Sequence, residues 1–213
     1  MTAGATTARS PGSEATAPSA DQTSARILDA ALEQFELLGL RRSTIDDVAR
    51  RAGVSRITVY RRFARKDRLV EAVIMRELER FLAELDTAVM VLGSVEERMI
   101  EGFVVTLRSA RHHLLLGRLL RAEPELLLPH LTQRAGVALA MASAFLAERI
   151  RDAQDLGDIP AFDAQQVAEL VVRLTLSFIL TPDSSIALED ELAMRAFARR
   201  YVAPLVTRAE PNR

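Results

Sequence analysis

The stretch Gly53–Phe63, GVSRITVYRRF, poses the question that decides the fold. It carries Arg56, Arg61 and Arg62, two hydroxyl residues and a tyrosine, and its apolar residues are few and widely spaced. A helix built from it shows a broad basic surface and a narrow core face, so that surface needs a partner outside the protein's own core. Gly53 permits the left-handed backbone of a sharp turn. Ser55 is placed to cap the amides of a helix over Arg56–Phe63. Val54, Val59 and Phe63 can hold this helix inward, which leaves Arg56, Thr58, Tyr60, Arg61 and Arg62 pointing outward.

Working upstream, Thr44 and Asp47 form a capping-box-like pair ahead of a short helix whose inward residues are Ile45, Val48 and Ala49. A first helix is predicted over Thr23 to Leu38, with Ile27, Ala30, Ala31, Gln34 and Phe35 on one stripe and Gly39 as a left-handed cap. Two short helices joined by a glycine-containing turn, the second one basic, make a helix-turn-helix. A major groove admits such a helix. Charge agrees: residues 41 to 68 hold ten basic and three acidic side chains, on a chain whose net charge is −1. That is a local electrostatic footprint of the kind nucleic acid attracts. The single lysine is Lys66.

The rest of the chain shows 3.6-residue periodicity and no strand alternation, which predicts an all-α protein. Residues 1–22, rich in Ala, Thr, Ser and Pro, read as a flexible tail. Residues 23–68 form the helix-turn-helix unit and 69–92 a connecting helix that starts near Lys66 or Asp67, with Leu69, Val73 and Phe81 on its buried side. Residues 93–213 form a helical body. Its helices are predicted near 95–111, 113–122, 132–155, 163–181 and 188–206, punctuated by Pro124, Pro129, Gly157, Pro160 and Pro182. The segment 163–181 is apolar around most of its girth, and with 188–206 it reads as a dimer interface through Val167, Val171, Leu174, Phe178, Phe197 and Tyr201. The absence of cysteine excludes disulfides and thiolate chemistry and fits a cytoplasmic location. No apolar run is long enough to span a membrane.

The run RILDAALEQFELLGLRRSTIDDVARRAGVSRITVYRRFARKDRLVEAV resembles the N-terminal domain of the TetR family of bacterial transcriptional regulators. Arg26, Ile27, Ala30, Ala31, Phe35, Gly39, Thr44, Val48, Ala49, Ala52, Gly53, Val54, Ser55, Tyr60, Phe63, Lys66 and Leu69 stand in the family's order and spacing. The resemblance implies a homodimer on a double-stranded DNA operator, with a small-molecule pocket in each C-terminal domain. It makes Thr44, Tyr60 and Lys66 phosphate ligands and Arg56, Ile57, Thr58 and Arg61 candidates for base or backbone contact. Arg42, Ser55 and Arg62 complete the candidate interface. Two positions depart from the pattern: Arg65 stands where a capping serine is common, and Arg62 where a histidine is common.

Other features carry rival readings. His112 and His113 invite a metal reading, but neighbours on a helix point about 100° apart, so neither a metal nor any other cofactor is expected. Arg173 has the chemistry to anchor a carboxylate, yet Glu169 lies one turn earlier in good orientation for an ion pair. Phe103, Leu107, His113, Leu116, Leu119, Met141, Phe145 and Thr175 are candidates for lining a pocket suited to a hydrophobic small molecule such as an acyl chain, terpenoid or drug; each also suits a plain core. No nucleophile–base–orienter constellation supports an enzyme. A DNA-binding protein without a ligand, and a transcriptional activator, are the alternatives to a ligand-released repressor.

Overall fold

The computed structural model describes residues 19 to 209, and every regular element among them is helical. Helix α1 spans Ala20–Arg42. It starts three residues before the expected Thr23, because Ser19 and Gln22 form a full capping box: the Ser19 hydroxyl accepts the Gln22 amide at 3.1 Å, and the Gln22 side chain accepts the Ser19 amide at 2.8 Å. The expected tail is corrected at that end; residues 1–18 lie outside the described residues. Gly39 adopts φ 80° and ψ 173°, which is an extended positive-φ conformation and not the expected left-handed cap. It bends the helix, which resumes as far as Arg42.

Helices α2 (Ile45–Ala52), α3 (Arg56–Phe63) and α4 (Lys66–Val89) follow. Arg65 occupies the N-cap of α4 and its side chain makes no cap hydrogen bond, as its departure from serine implies. Beyond it lie α5 (Val95–His112), α6 (Leu114–Ala122), α7 (Pro124–Leu131), α8 (Gly136–Asp155) and α9 (Ala164–Leu180). Helix α7 occupies a stretch that sequence reading left unassigned between two prolines. Pro124 sits at its first position, where the missing N–H had no partner to lose. Pro129 lies inside it, so the helix tolerates one absent ladder bond.

The C-terminal segment is α10 (Glu191–Phe197), a π-helical turn over Ala198–Val202, and α11 (Pro204–Thr207). The π turn is closed by the Ala203 amide on the Ala198 carbonyl at 2.9 Å. Ala198, Val202 and Val206 are all fully buried.

Two apolar clusters hold these helices. One joins α5, α8, α9 and the C-terminal segment through Ile100, Phe103, Val104, Leu107, Ala147, Ile150, Ala168 and Val202. The other joins α1–α3 to the first half of α4 through Ile27, Phe35, Val48, Val59, Leu69 and Val73, and also takes in Leu115, Leu119 and Leu127 from α6 and α7. Helices α6 and α7 are thereby packed onto the first four helices. No helix among the described residues is long and apolar enough to cross a membrane.

Candidate nucleic-acid interface and ligand cavity

Helix α2 starts at Thr44, whose hydroxyl oxygen accepts the Asp47 amide at 3.1 Å while its own O–H donates to the Asp47 carboxylate at 2.6 Å. The Thr44 bonds, followed by Arg50, hold the Asp47 carboxyl below its usual value. Gly53 ends α2 at φ 64°, ψ 37°, with its amide on the carbonyls of the last turn. A side chain there would meet both a strained φ and the Arg26 guanidinium, which itself donates to the Ala52 carbonyl at 2.6 Å. The turn between α2 and α3 is thus pinned to α1.

Ser55 caps α3 by accepting the Thr58 amide at 3.1 Å, and its hydroxyl also pairs with that of Thr58 at 2.8 Å. Thr58 is half-buried and engaged in the cap rather than pointing free. Val59 is fully buried, and Val54 and Phe63 pack beside it. The outward face carries Ile57, 77% exposed, with Tyr60, Arg56 and Arg61. Arg56 lies over the Tyr60 ring, 5.3 Å from its centroid, and pairs with Asp46 at 3.2 Å. Arg42, Thr44 and Ser55 are exposed alongside.

Two expected members of this surface are turned elsewhere. Arg62 is half-buried and donates to the Ser24 hydroxyl on α1 at 2.9 Å, with its Nε buried and unpartnered. Lys66 donates its ammonium to the Leu40 carbonyl. Burial lowers its pKa, while Glu123 and Asp67 pull the other way. Both side chains fasten α1 to the helices below it instead of facing solvent.

A cavity of about 350 Å³ lies among α4, α5, α7, α8 and α9. Phe103, Phe145 and Thr175 line it, as sequence reading anticipated. Other expected lining residues lie off it. Leu107 is buried in the α5–α9 core, and Leu116 and Leu119 pack onto the first four helices. His113 caps α6, its Nδ1 accepting the Leu116 amide at 3.3 Å. Met141 is half-buried away from the cavity wall. The wall that sequence reading missed is one face of α4: Ile74, Leu78, Phe81, Leu85 and Val89. Their spacing of three and four is a helical stripe visible in the sequence, but nothing local separates a stripe that packs from one that faces a void. His130 of α7 also lines the cavity.

Burial, and next the charge of Arg134, lower the His130 pKa against the opposing pull of Glu71 and Asp67. A folded-state pKa below the ordinary histidine value means that the unfolded chain takes up the proton first as pH falls. The resulting stability is present above the unfolded pKa of about 6.5 and declines as pH drops through that value toward the folded pKa. Urea unfolding at pH 7 and pH 5 is expected to show a smaller acid loss for His130→Phe than for the native chain; equal losses would rule out His130 as a contributor.

Residues 27–73 match the family model for bacterial regulatory proteins of the tetR family, and residues 94–199 match that for the bacterial tetracyclin repressor C-terminal domain. The chain belongs to the TetR family. As a TetR-family protein it is similar over most of its length to helix-turn-helix transcriptional regulators. It is 29% identical over 184 residues to one from Mycobacterium tuberculosis (strain CDC 1551 / Oshkosh), covering 86% of this chain and 85% of that one. Against the regulator AlkX of Mycobacterium tuberculosis (strain ATCC 25618 / H37Rv) it is 29% identical over 196 residues, covering 86% and 90%. Among solved structures, the TetR-family repressor AlkX from Dietzia sp. strain DQ12-45-1b superposes with a TM-score of 0.70 at 26% identity, covering 87% of this chain and 95% of that one.

The TetR-family frame draws attention to the outer face of α9. Leu170 and Tyr201 are each 53% exposed, and Leu174, Phe178 and Phe197 are half-buried. Phe178 meets Phe197 edge to face at 5.5 Å, and Phe197 meets Tyr201 at 5.1 Å, so an aromatic ladder runs from α9 to the π turn. Val167 packs partly on the core. Val171 is buried and lines the cavity, which removes it from any outer surface. Glu169 and Arg173 form the expected ion pair at 2.7 Å on the exposed side.

The first four helices are fastened to α6 and α7 at the end of α1. The Glu123 carboxylate accepts the amides of Leu40 at 2.7 Å and Arg41 at 3.1 Å. Arg118 donates to the Glu36 and Leu37 carbonyls, and Arg41 pairs with Glu125. A Cβ on Gly39 would stand 2.6 Å from a Glu123 oxygen. None of these partners lies within 80 positions of the other in sequence.

Proposed function

We propose that the protein is a cytoplasmic transcriptional repressor that binds a pseudo-palindromic operator as a homodimer and releases it when an apolar small molecule occupies the cavity. The observation that carries this reading is the outward face of α3, where Arg56, Ile57, Tyr60 and Arg61 project from a capped helix anchored by the buried Val59. Two such faces related by a two-fold axis suit half-sites about one helical turn apart, on the order of 34–36 Å. The cavity has the size and apolar walls of a small-molecule site. The printed description of the Dietzia relative, a repressor implicated in biodegradation of n-alkanes, agrees with an apolar effector. Such a ligand releases DNA only by binding the non-operator conformation more tightly.

The direct test selects bound sequences from random duplexes and follows the complex as salt rises. Affinity for a palindromic consensus is expected to fall steeply with salt, because each neutralised phosphate releases counterions. Equal binding to unrelated duplexes refutes the reading.

Within the head, Tyr60→Phe is expected to weaken all duplexes alike through a lost phosphate contact. Arg56→Ala is expected to relax base preference at one position by about 1–3 kcal/mol. A set of single-base operator variants distinguishes them: an unchanged preference in Arg56→Ala contradicts the assignment.

A further inference from the structure

The polar groups around the cavity are few, and almost all are already engaged. The Thr106 and Thr175 hydroxyls donate to carbonyls one turn back, Gly102 at 2.6 Å and Val171 at 2.8 Å. Arg149 grips Asp86 and Asp152, and Arg98 donates its Nε to the Leu92 carbonyl at 3.0 Å. His130 differs from all of these. It is 8% exposed, it lines the cavity, and its Nδ1 is buried with no hydrogen-bond partner among the described residues. A buried polar group left unpaired is costly, and native proteins keep few of them.

The shape of the site adds a second constraint. Ile74 to Val89 line it along α4, a distance of about 22 Å at 1.5 Å per residue. The charges beside His130 add a third. Arg134 stands near the imidazole but pairs with Asp67 at 3.4 Å and Glu71 at 3.9 Å. A carboxylate arriving at His130 would face two carboxylates whose nearby cation is already taken.

We infer that His130 is the polar anchor of this cavity, and that the ligand is a long hydrocarbon chain ending in one uncharged oxygen function that hydrogen-bonds the imidazole. The inference rests on the apolar-ligand reading above and specifies its chemistry. The alkyl chain lies against the α4 stripe, and the oxygen sits at the α7 end. The neutral imidazole offers one donor and one acceptor, so an alcohol, a ketone or an ester oxygen each finds a complementary atom.

The test uses the full-length protein and three ten-carbon probes, 1-decanol, decane and decanoate, each competing with a bound environment-sensitive fluorophore. Decanol is expected to bind more tightly than decane by roughly three- to tenfold, the range of one net hydrogen bond. His130→Phe keeps the ring and removes the polar atoms, and is expected to bring the two probes to equal affinity. His130→Asn keeps a polar group and is expected to retain part of the preference, a graded response that a purely structural role for His130 would not give. Equal binding of decanol and decane by the native chain overturns the inference, as does a preference that survives His130→Phe. Tightest binding by decanoate, lost on Arg98→Leu, also overturns it by moving the head group to the other end. If none of the three probes binds while operator binding is intact, the apolar-ligand reading fails together with this inference.

Discussion

Leu170→Glu combined with Tyr201→Glu is expected to give a soluble, fully helical monomer whose operator affinity is lower by about 10²- to 10⁴-fold, the range by which linked binding exceeds single-site binding. Both side chains are about half exposed in the single chain, so the substitutions leave its core intact. Their exposed area adjoins the half-buried Leu174, Phe178 and Phe197, and apolar surface that clusters in this way marks an association face. Four carboxylates at a two-fold interface would be desolvated without partners. Sedimentation checks the oligomer, circular dichroism the fold, and band shift the operator. An unchanged dimer from the soluble double variant removes α9 and the π turn from the interface. Val171→Glu would be a poor probe, because that side chain is buried beside the cavity and its loss would damage the fold first.

Gly39→Ala is expected to destabilise the protein by about 2–3 kcal/mol through backbone strain alone, since φ 80° with ψ 173° is a conformation only glycine adopts readily. The new methyl would also press on the Glu123 carboxylate, which is not free to move: it is held by two amides of α1. Urea unfolding measures the sum as a lower midpoint. The double variant Gly39→Ala with Glu123→Ala separates the causes. Strain persists in it while the steric conflict vanishes, so Gly39→Ala is expected to cost less in the Glu123→Ala background than in the native one. Gly39→Ala with an unchanged midpoint would contradict the backbone argument.

These two sites mark where sequence reading reached and where it stopped. The caps at Thr44 and Ser55, the left-handed Gly53 and the Glu169–Arg173 pair were legible because each is an interaction within one turn of chain. The order and spacing of the helix-turn-helix residues followed from them, and so did the all-helical class. Arg62 and Lys66 were misdirected because charge alone does not say where a long side chain ends; one finds Ser24 and the other the Leu40 carbonyl, both across the fold. Glu123 gave no signal, since its role exists only once α6 has docked on α1. The cavity was half legible. Aromatic and apolar residues of α5 and α8 were natural candidates, but a void is a property of several helices together, and the α4 stripe looks the same in sequence whether or not anything fills the space beside it. Helix α7 was hidden by reading Pro124 and Pro129 as stops, when one of them sits where a helix can begin.

The π turn near the C-terminus makes chain length itself a determinant of the surface. Ala198, Val202 and Val206 stand four residues apart, and in an uninterrupted α-helix the last would be rotated by about 80° from the first. A turn closed five residues on underwinds the helix, and all three remain fully buried. Phe197 and Tyr201 share the same spacing on the opposite side and ladder outward. The turn therefore has the form of a one-residue insertion accommodated without disturbing either face. Removing a single residue here would close it as ordinary helix and swing everything beyond by about 100°, exchanging inner for outer side chains with no change of amino-acid type. In an alignment of relatives, a one-position gap at this point would reassign the whole surface that follows it.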